Sequence, residues 1–170
     1  ASLAGLRAAI AQAEAKAAGE DPDSVAGRVR AATVKAAQGD LEGALAALRA
    51  IPEQDDADVA YNLGTLLAQA GRFDEAIASL ERATRARRDF SRSWFNLGLA
   101  YSKAGRPADA LPALARAADL EPDNPEIRFA LGATALGVGR ADIAQAQAAA
   151  LEGMEGERAK ALAARLRGSR

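Results

Sequence analysis

Apolar residues return every three or four positions along most of the chain, the period at which a helix keeps one face inward. Leu3, Leu6, Ile10, Ala13 and Ala17 share one stripe and Gly19 supplies a stop, so a helix is predicted over 1–20. Asp21-Pro22 reads as an N-cap and first helical residue. The helix that follows is predicted to reach about residue 38, with Val25, Val29, Ala32 and Ala36 inward. Gly39-Asp40 turns the chain into a helix over 41–50, with Leu41, Ala44, Leu45 and Leu48 inward and Ile51-Pro52 at its end.

From residue 57 a longer period is superimposed on the helical one. Leu63-Gly64, Leu97-Gly98 and Leu131-Gly132 recur every 34 residues, as do Ala76, Ala110 and Ala144, and Gly71-Arg72, Gly105-Arg106 and Gly139-Arg140. Self-similarity at a fixed period of this length marks stacked supersecondary repeats. Gly39 precedes Gly71 by 32 residues, so 25–56 reads as a shorter, diverged unit before units at 57–90, 91–124 and 125–153. A last helix over 155–167, with Ala159, Leu162, Ala163 and Leu166 and with Met154 just before it, is predicted to cover the final unit, as helix 1–20 covers the first.

Within a unit the pattern has a packing logic. Ala60, Leu63, Gly64 and Leu67 share a face of the first helix; Gly64 lets the second helix approach, with Ala76 expected to complete the contact. The glycine of each Gly-Arg pair suits a helix end that needs positive φ. Pro112 removes one hydrogen bond from its helix and is expected to bend it. The fourth unit has Arg128, Ala135 and Ala148 where the third has Trp94, Tyr101 and Leu114, and is expected to pack less well.

Composition narrows the class. Alanine dominates an apolar content of 49%, and aromatics are only 4%, so the fold is expected to be all-α. The net charge of −1 gives no global field toward nucleic acid or an anionic membrane, and neither is expected as a partner. Without His or Cys the usual general base, thiolate nucleophile and commonest metal ligands are missing, and no Gly-rich phosphate loop is present. A non-enzymatic protein with no metal or cofactor is expected. No apolar run approaches the roughly 20 residues that span a bilayer. Ala1 in place of an initiator Met is what a processed chain or an excised segment would show, and the Ala- and Arg-rich composition is like that of a high-GC bacterial protein, cytoplasmic or periplasmic.

Trp94, Leu97, Gly98 and Tyr101 fit the pattern W-x2-L-G-x2-Y, and Ala110, Leu114 and Pro122 follow in order. This resembles the tetratricopeptide repeat, a 34-residue helix–turn–helix unit. The resemblance is closest over 57–124, looser over 125–151 and faint over 25–56. It implies a right-handed α-solenoid with flanking N- and C-terminal helices, whose first helices line a concave groove for a protein or peptide partner.

Helix geometry then singles out residues. Asn62 and Thr65 lie about 150° from the core stripe of their helix, and Tyr61 about 110°. The matching positions are Asn96, Leu99 and Phe95 in the next unit, and Ala130, Ala133 and Phe129 in the fourth. Tyr61, Phe95 and Phe129 thus form a ladder that either wedges neighbouring helices or offers an apolar groove to a partner. Members of the family that clamp a C-terminal carboxylate use basic residues and asparagines, each at a set position on three consecutive first helices. That pattern falls on Val29, Thr33, Asn62, Arg92 and Asn96, where only Asn62 and Arg92 suit, so such a clamp is not expected. The expected partner contacts are Tyr61, Asn62, Thr65, Arg92, Phe95, Asn96, Leu99, Lys103 and Phe129. Self-assembly through the solenoid ends, giving a homo-oligomer, is the alternative. Arg82, Arg85, Arg87, Arg88 and Arg92 are read as solvated charges near helix ends rather than a phosphate site, and Glu53, Asp55, Asp56 and Asp58 as capping residues rather than a metal site.

Overall fold

The computed structural model describes residues 21–168. Every regular element among them is a helix: α1 (Val25–Ala37), α2 (Leu41–Arg49), α3 (Ala57–Gln69), α4 (Phe73–Ala86), α5 (Ser91–Lys103), α6 (Pro107–Leu120), α7 (Pro125–Gly137), α8 (Ala141–Glu152) and α9 (Glu157–Gly168). The helix expected over 1–20 lies outside the described residues. The chain divides into two compact units, the first ending at Arg87 and the second beginning at Arg88.

In the first unit, α1 pairs with α2 and α3 with α4, and α3 rests on both members of the first pair. The N-cap of α1 is Ser24, not Asp21. Two residues able to cap stand three apart, and Ser24 prevails because its Oγ accepts the Gly27 N–H at 3.0 Å. Asp21 instead forms the preceding turn, its carbonyl accepting from Ser24 N and Oγ at 3.1 and 2.6 Å. In the second pair Leu63, Gly64 and Leu67 face the partner helix, and Leu67, Ala76, Leu80 and Ala83 are essentially inaccessible. The nearest side chain to Gly64 is Leu80: a Cβ at Gly64 would stand 2.6 Å from Leu80 Cγ.

The second unit repeats this arrangement in α5 and α6. There a Cβ on Gly98 would lie 2.5 Å from Leu114 Cγ. The α7–α8 pair lacks the corresponding leucine, since position 148 is alanine. Its place beside Gly132 is taken by Leu166 of α9, whose Cδ1 would be 2.7 Å from a Cβ there. The last helix therefore covers α7 and α8 and also supplies the side chain that the repeat has lost, closing a cluster with Ala148, Leu151, Ala159 and Leu162. α6 runs on through Pro112, whose ring faces solvent.

The Gly-Arg turns share one construction. Gly71, Gly105 and Gly139 have φ of +75°, +76° and +76°. Each following Arg N–H reaches back to the carbonyl five residues earlier, at 2.9, 2.9 and 2.8 Å, which ties off the helix end. The recurrence of arginine has its own cause. Each guanidinium bonds an acid in the first turn of the next helix: Arg72 to Glu75, Arg106 to Asp109 and Arg140 to Asp142.

Candidate functional site

The outward stripe of α3 carries Asn62 and Thr65, with Tyr61 at its border, all half-buried. The helix is set by Asp56, whose Oδ1 accepts from the backbone N–H groups of Asp58 and Val59 at 2.9 and 3.1 Å. Asn62 spends one amide donor on its own helix, Nδ2 to Asp58 O at 2.8 Å. Asp58 is engaged by Arg87 at 3.1 Å.

On α5 the sequence-predicted residues form a narrower and more strongly charged stripe. Arg92, Asn96, Leu99 and Lys103 follow at steps of four, three and four, which keeps them on one face at about 100° per residue. Leu99 is the large apolar side chain left exposed among the described residues, at 37%. Arg92 and Lys103 stand at the two ends of the stripe, both exposed. Neither forms an ion pair among the described residues, so the stripe has net positive charge around one apolar side chain. Phe95, at the border of that stripe, is half-buried against the cluster containing Leu114, Ile127 and Leu131.

α7 touches both α5 and α9. Its outward stripe is small, with Ala130 and Ala133, so the surface is lower here than along α5. Ser102 and Thr134 meet across α5 and α7 at 3.4 Å. Phe129 is half-buried against the cluster completed by α9, and the Arg165 guanidinium lies 4.7 Å from its ring centroid. Arg158 of α9 pairs with Glu126 at the start of α7. The sequence pattern does not assign Arg158 or Arg165 to this face; an out-of-period helix gives no register with which to place them. The structure thus brings Arg92, Phe95, Asn96, Leu99, Lys103 and Phe129 into one unit, and places Tyr61, Asn62 and Thr65 in the other.

The arginines around residues 82–88 have local partners where the structure gives them. Arg82 donates to Ser79 Oγ at 3.3 Å, Arg85 lies 3.9 Å from Glu81, and Arg87 holds Asp58. The perturbed acids belong to the turns. The Arg72 hydrogen bond lowers the Glu75 pKa, and the Arg140 hydrogen bond takes Asp142 from 3.8 to about 2.

The tetratricopeptide repeat family model matches residues 61–125 and 98–140. A thermophilic TPR protein of Thermus thermophilus, TTC0263, superposes with a TM-score of 0.72 at 25% identity, covering 98% of this chain and 91% of its own. Residues 61–140 are tetratricopeptide repeats. YrrB, described as a TPR protein with an unusual peptide-binding site, superposes with a TM-score of 0.74 at 26% identity, over 91% of this chain and 82% of its own. MamA shares the fold, with a TM-score of 0.68 at 19% identity over 96% of this chain and 90% of its own. No curated protein matches the sequence. The tetratricopeptide assignment makes the architecture an all-α repeat solenoid, a scaffold for protein interaction.

Proposed function

We propose that the protein is a non-enzymatic adaptor that binds an acidic peptide or helix of a protein partner along the outward stripe of α5. The observation that carries this reading is the α5 stripe, in which exposed Leu99 is bracketed by Arg92 and Lys103. An exposed leucine between two uncompensated cations complements a segment with one apolar anchor and flanking carboxylates. Asn96 adds a polar amide to the same face. Phe95 and Phe129 set its apolar border, while Tyr61, Asn62 and Thr65 hold the matching positions on α3 of the first unit. The peptide site named for YrrB is support from a protein of similar fold.

Peptides selected on the wild-type protein from a random display library test this. They are expected to be acidic with a large apolar residue, and to bind Leu99→Ala and Lys103→Glu about tenfold more weakly or worse, with helicity unchanged. Selected peptides that bind both variants as tightly as wild type would remove the α5 stripe from the function.

A further inference from the structure

A cleft of about 630 Å³ opens in the second unit between α6, α7 and α8, and no residue of α5 lines it. About half of its lining is apolar, with Leu111 and Ala115 on α6, Leu131 on α7 and Ile143 on α8, and the rest is polar. Arg128 lies in the same cleft, at the position one period after Trp94. Trp94 donates its indole N–H to Arg88 O at 2.9 Å; Arg128 donates Nε–H to Pro122 O, the carbonyl one period after Arg88, at 2.6 Å. The guanidinium has inherited the indole's anchoring bond without its bulk.

The charge of Arg128 is left uncompensated. Its second bond goes to Gln147 Oε1 at 3.0 Å, so both acceptors are neutral. Arg140, which also lines the cleft, is held by Asp142 at 2.7 Å. Arg128 is half-buried, while Asp119, the acid of the lining, is exposed at the edge and screened by solvent. A half-buried cation with only neutral partners gains most from an incoming carboxylate, through charge-assisted hydrogen bonds from its remaining N–H groups.

The shape of the occupant follows from the coexistence of these apolar side chains and this cation. The volume falls in the range of sites that take more than a single side chain, roughly 300–1,000 Å³. An extended chain spaces its same-face side chains about 6.5 Å apart in a line, whereas a helix clusters i, i+3 and i+4 within about 5–6 Å of one another, which suits a single cleft that takes two apolar groups and a carboxylate. We infer that the cleft docks an amphipathic helix of a partner protein, two large apolar side chains entering between Leu111, Leu131 and Ile143 while a carboxylate on the same face meets Arg128. This site is separate from the α5 stripe and leaves that stripe accessible.

The probe is an acetylated alanine-based helix bearing two leucines and one glutamate at i, i+3 and i+4, compared with its glutamine counterpart. Affinity is read by titration, and the location by amide chemical shifts of Leu111, Ala115 and Ile143. The glutamate peptide is expected to move those amides and to bind about tenfold more tightly than the glutamine peptide. Arg128→Gln is expected to erase that difference. Arg128→Trp, which restores the aromatic of the repeat and fills the cleft, is expected to abolish binding with helicity intact. Lys103→Glu, on the other stripe, is expected to leave these shifts unchanged. The inference is overturned if the two peptides bind alike, if binding survives Arg128→Trp, if only Lys103→Glu removes it, or if no shift occurs up to millimolar peptide.

Discussion

Leu166 is 3% exposed and occupies the space that Leu80 and Leu114 occupy in the two preceding repeats, although it comes from a helix outside the period. Truncating it to alanine removes most of a buried side chain. The surroundings include Gly132 and Ala148, which carry no side chain long enough to swing in, so the cavity stays open. The cost then falls in the upper part of the range for such truncations, about 3–4 kcal/mol. Ala148→Leu alone adds a branched side chain beside Leu166, at a pocket of about 170 Å³ that both residues line, and is expected to cost about 1 kcal/mol. Combined, the new leucine fills the gap that the lost one leaves, and the double variant is expected to be about 2–3 kcal/mol more stable than the sum of the two changes predicts. Urea unfolding followed by tryptophan fluorescence measures this directly, because Trp94 is the only tryptophan and lies in the same unit. Additivity of the two costs to within about 0.5 kcal/mol would show that residues 148 and 166 do not share one site.

Gly98→Ala places a methyl 2.5 Å from Leu114 Cγ and is expected to destabilise the protein by about 1–3 kcal/mol, read as a lower urea midpoint. Asp56→Ala removes the acceptor for two N–H groups of α3 and is expected to cost about 1 kcal/mol by the same assay. The Asp142 carboxyl is held at about 2 by the hydrogen bond from Arg140, below its usual 3.8. Its contribution to stability is therefore complete above 3.8 and is lost as the pH falls through about 2. A carbon-13 carboxyl titration is expected to show that midpoint, and Arg140→Ala is expected to return it toward 3.8.

The repeats were legible because their determinants are local and periodic. Gly64, Gly98 and Gly132 each mark a close helix approach, and the Gly-Arg pairs each mark a left-handed turn, so one unit could be read from another. Where two residues compete for one role, the sequence does not decide: Asp21 and Ser24 can both cap, and only the reach of Ser24 Oγ to Gly27 selects the second. Gaps in the period were visible but their repair was not. Ala148 and Arg128 stand out as departures, yet nothing in the chain's order says that Leu166 fills the first or that Arg128 keeps the bond of a tryptophan. The candidate stripe is intermediate in this respect. Helix geometry placed Asn96 and Leu99 on one face, whereas the covering of Phe129 by α9 depends on packing between segments 36 residues apart, Phe129 and Arg165.

The leucine donated by α9 also restricts how such an array can lengthen. A duplicated unit inserted ahead of α7 brings its own leucine opposite its own glycine and leaves the pairing of Gly132 with Leu166 intact. A unit inserted between α8 and α9 separates them, leaving Gly132 facing an alanine while α9 is offered to a repeat that already has its leucine. Growth by duplication is thus tolerated upstream and penalised next to the closing helix, which makes α7, α8 and α9 a single inheritable block.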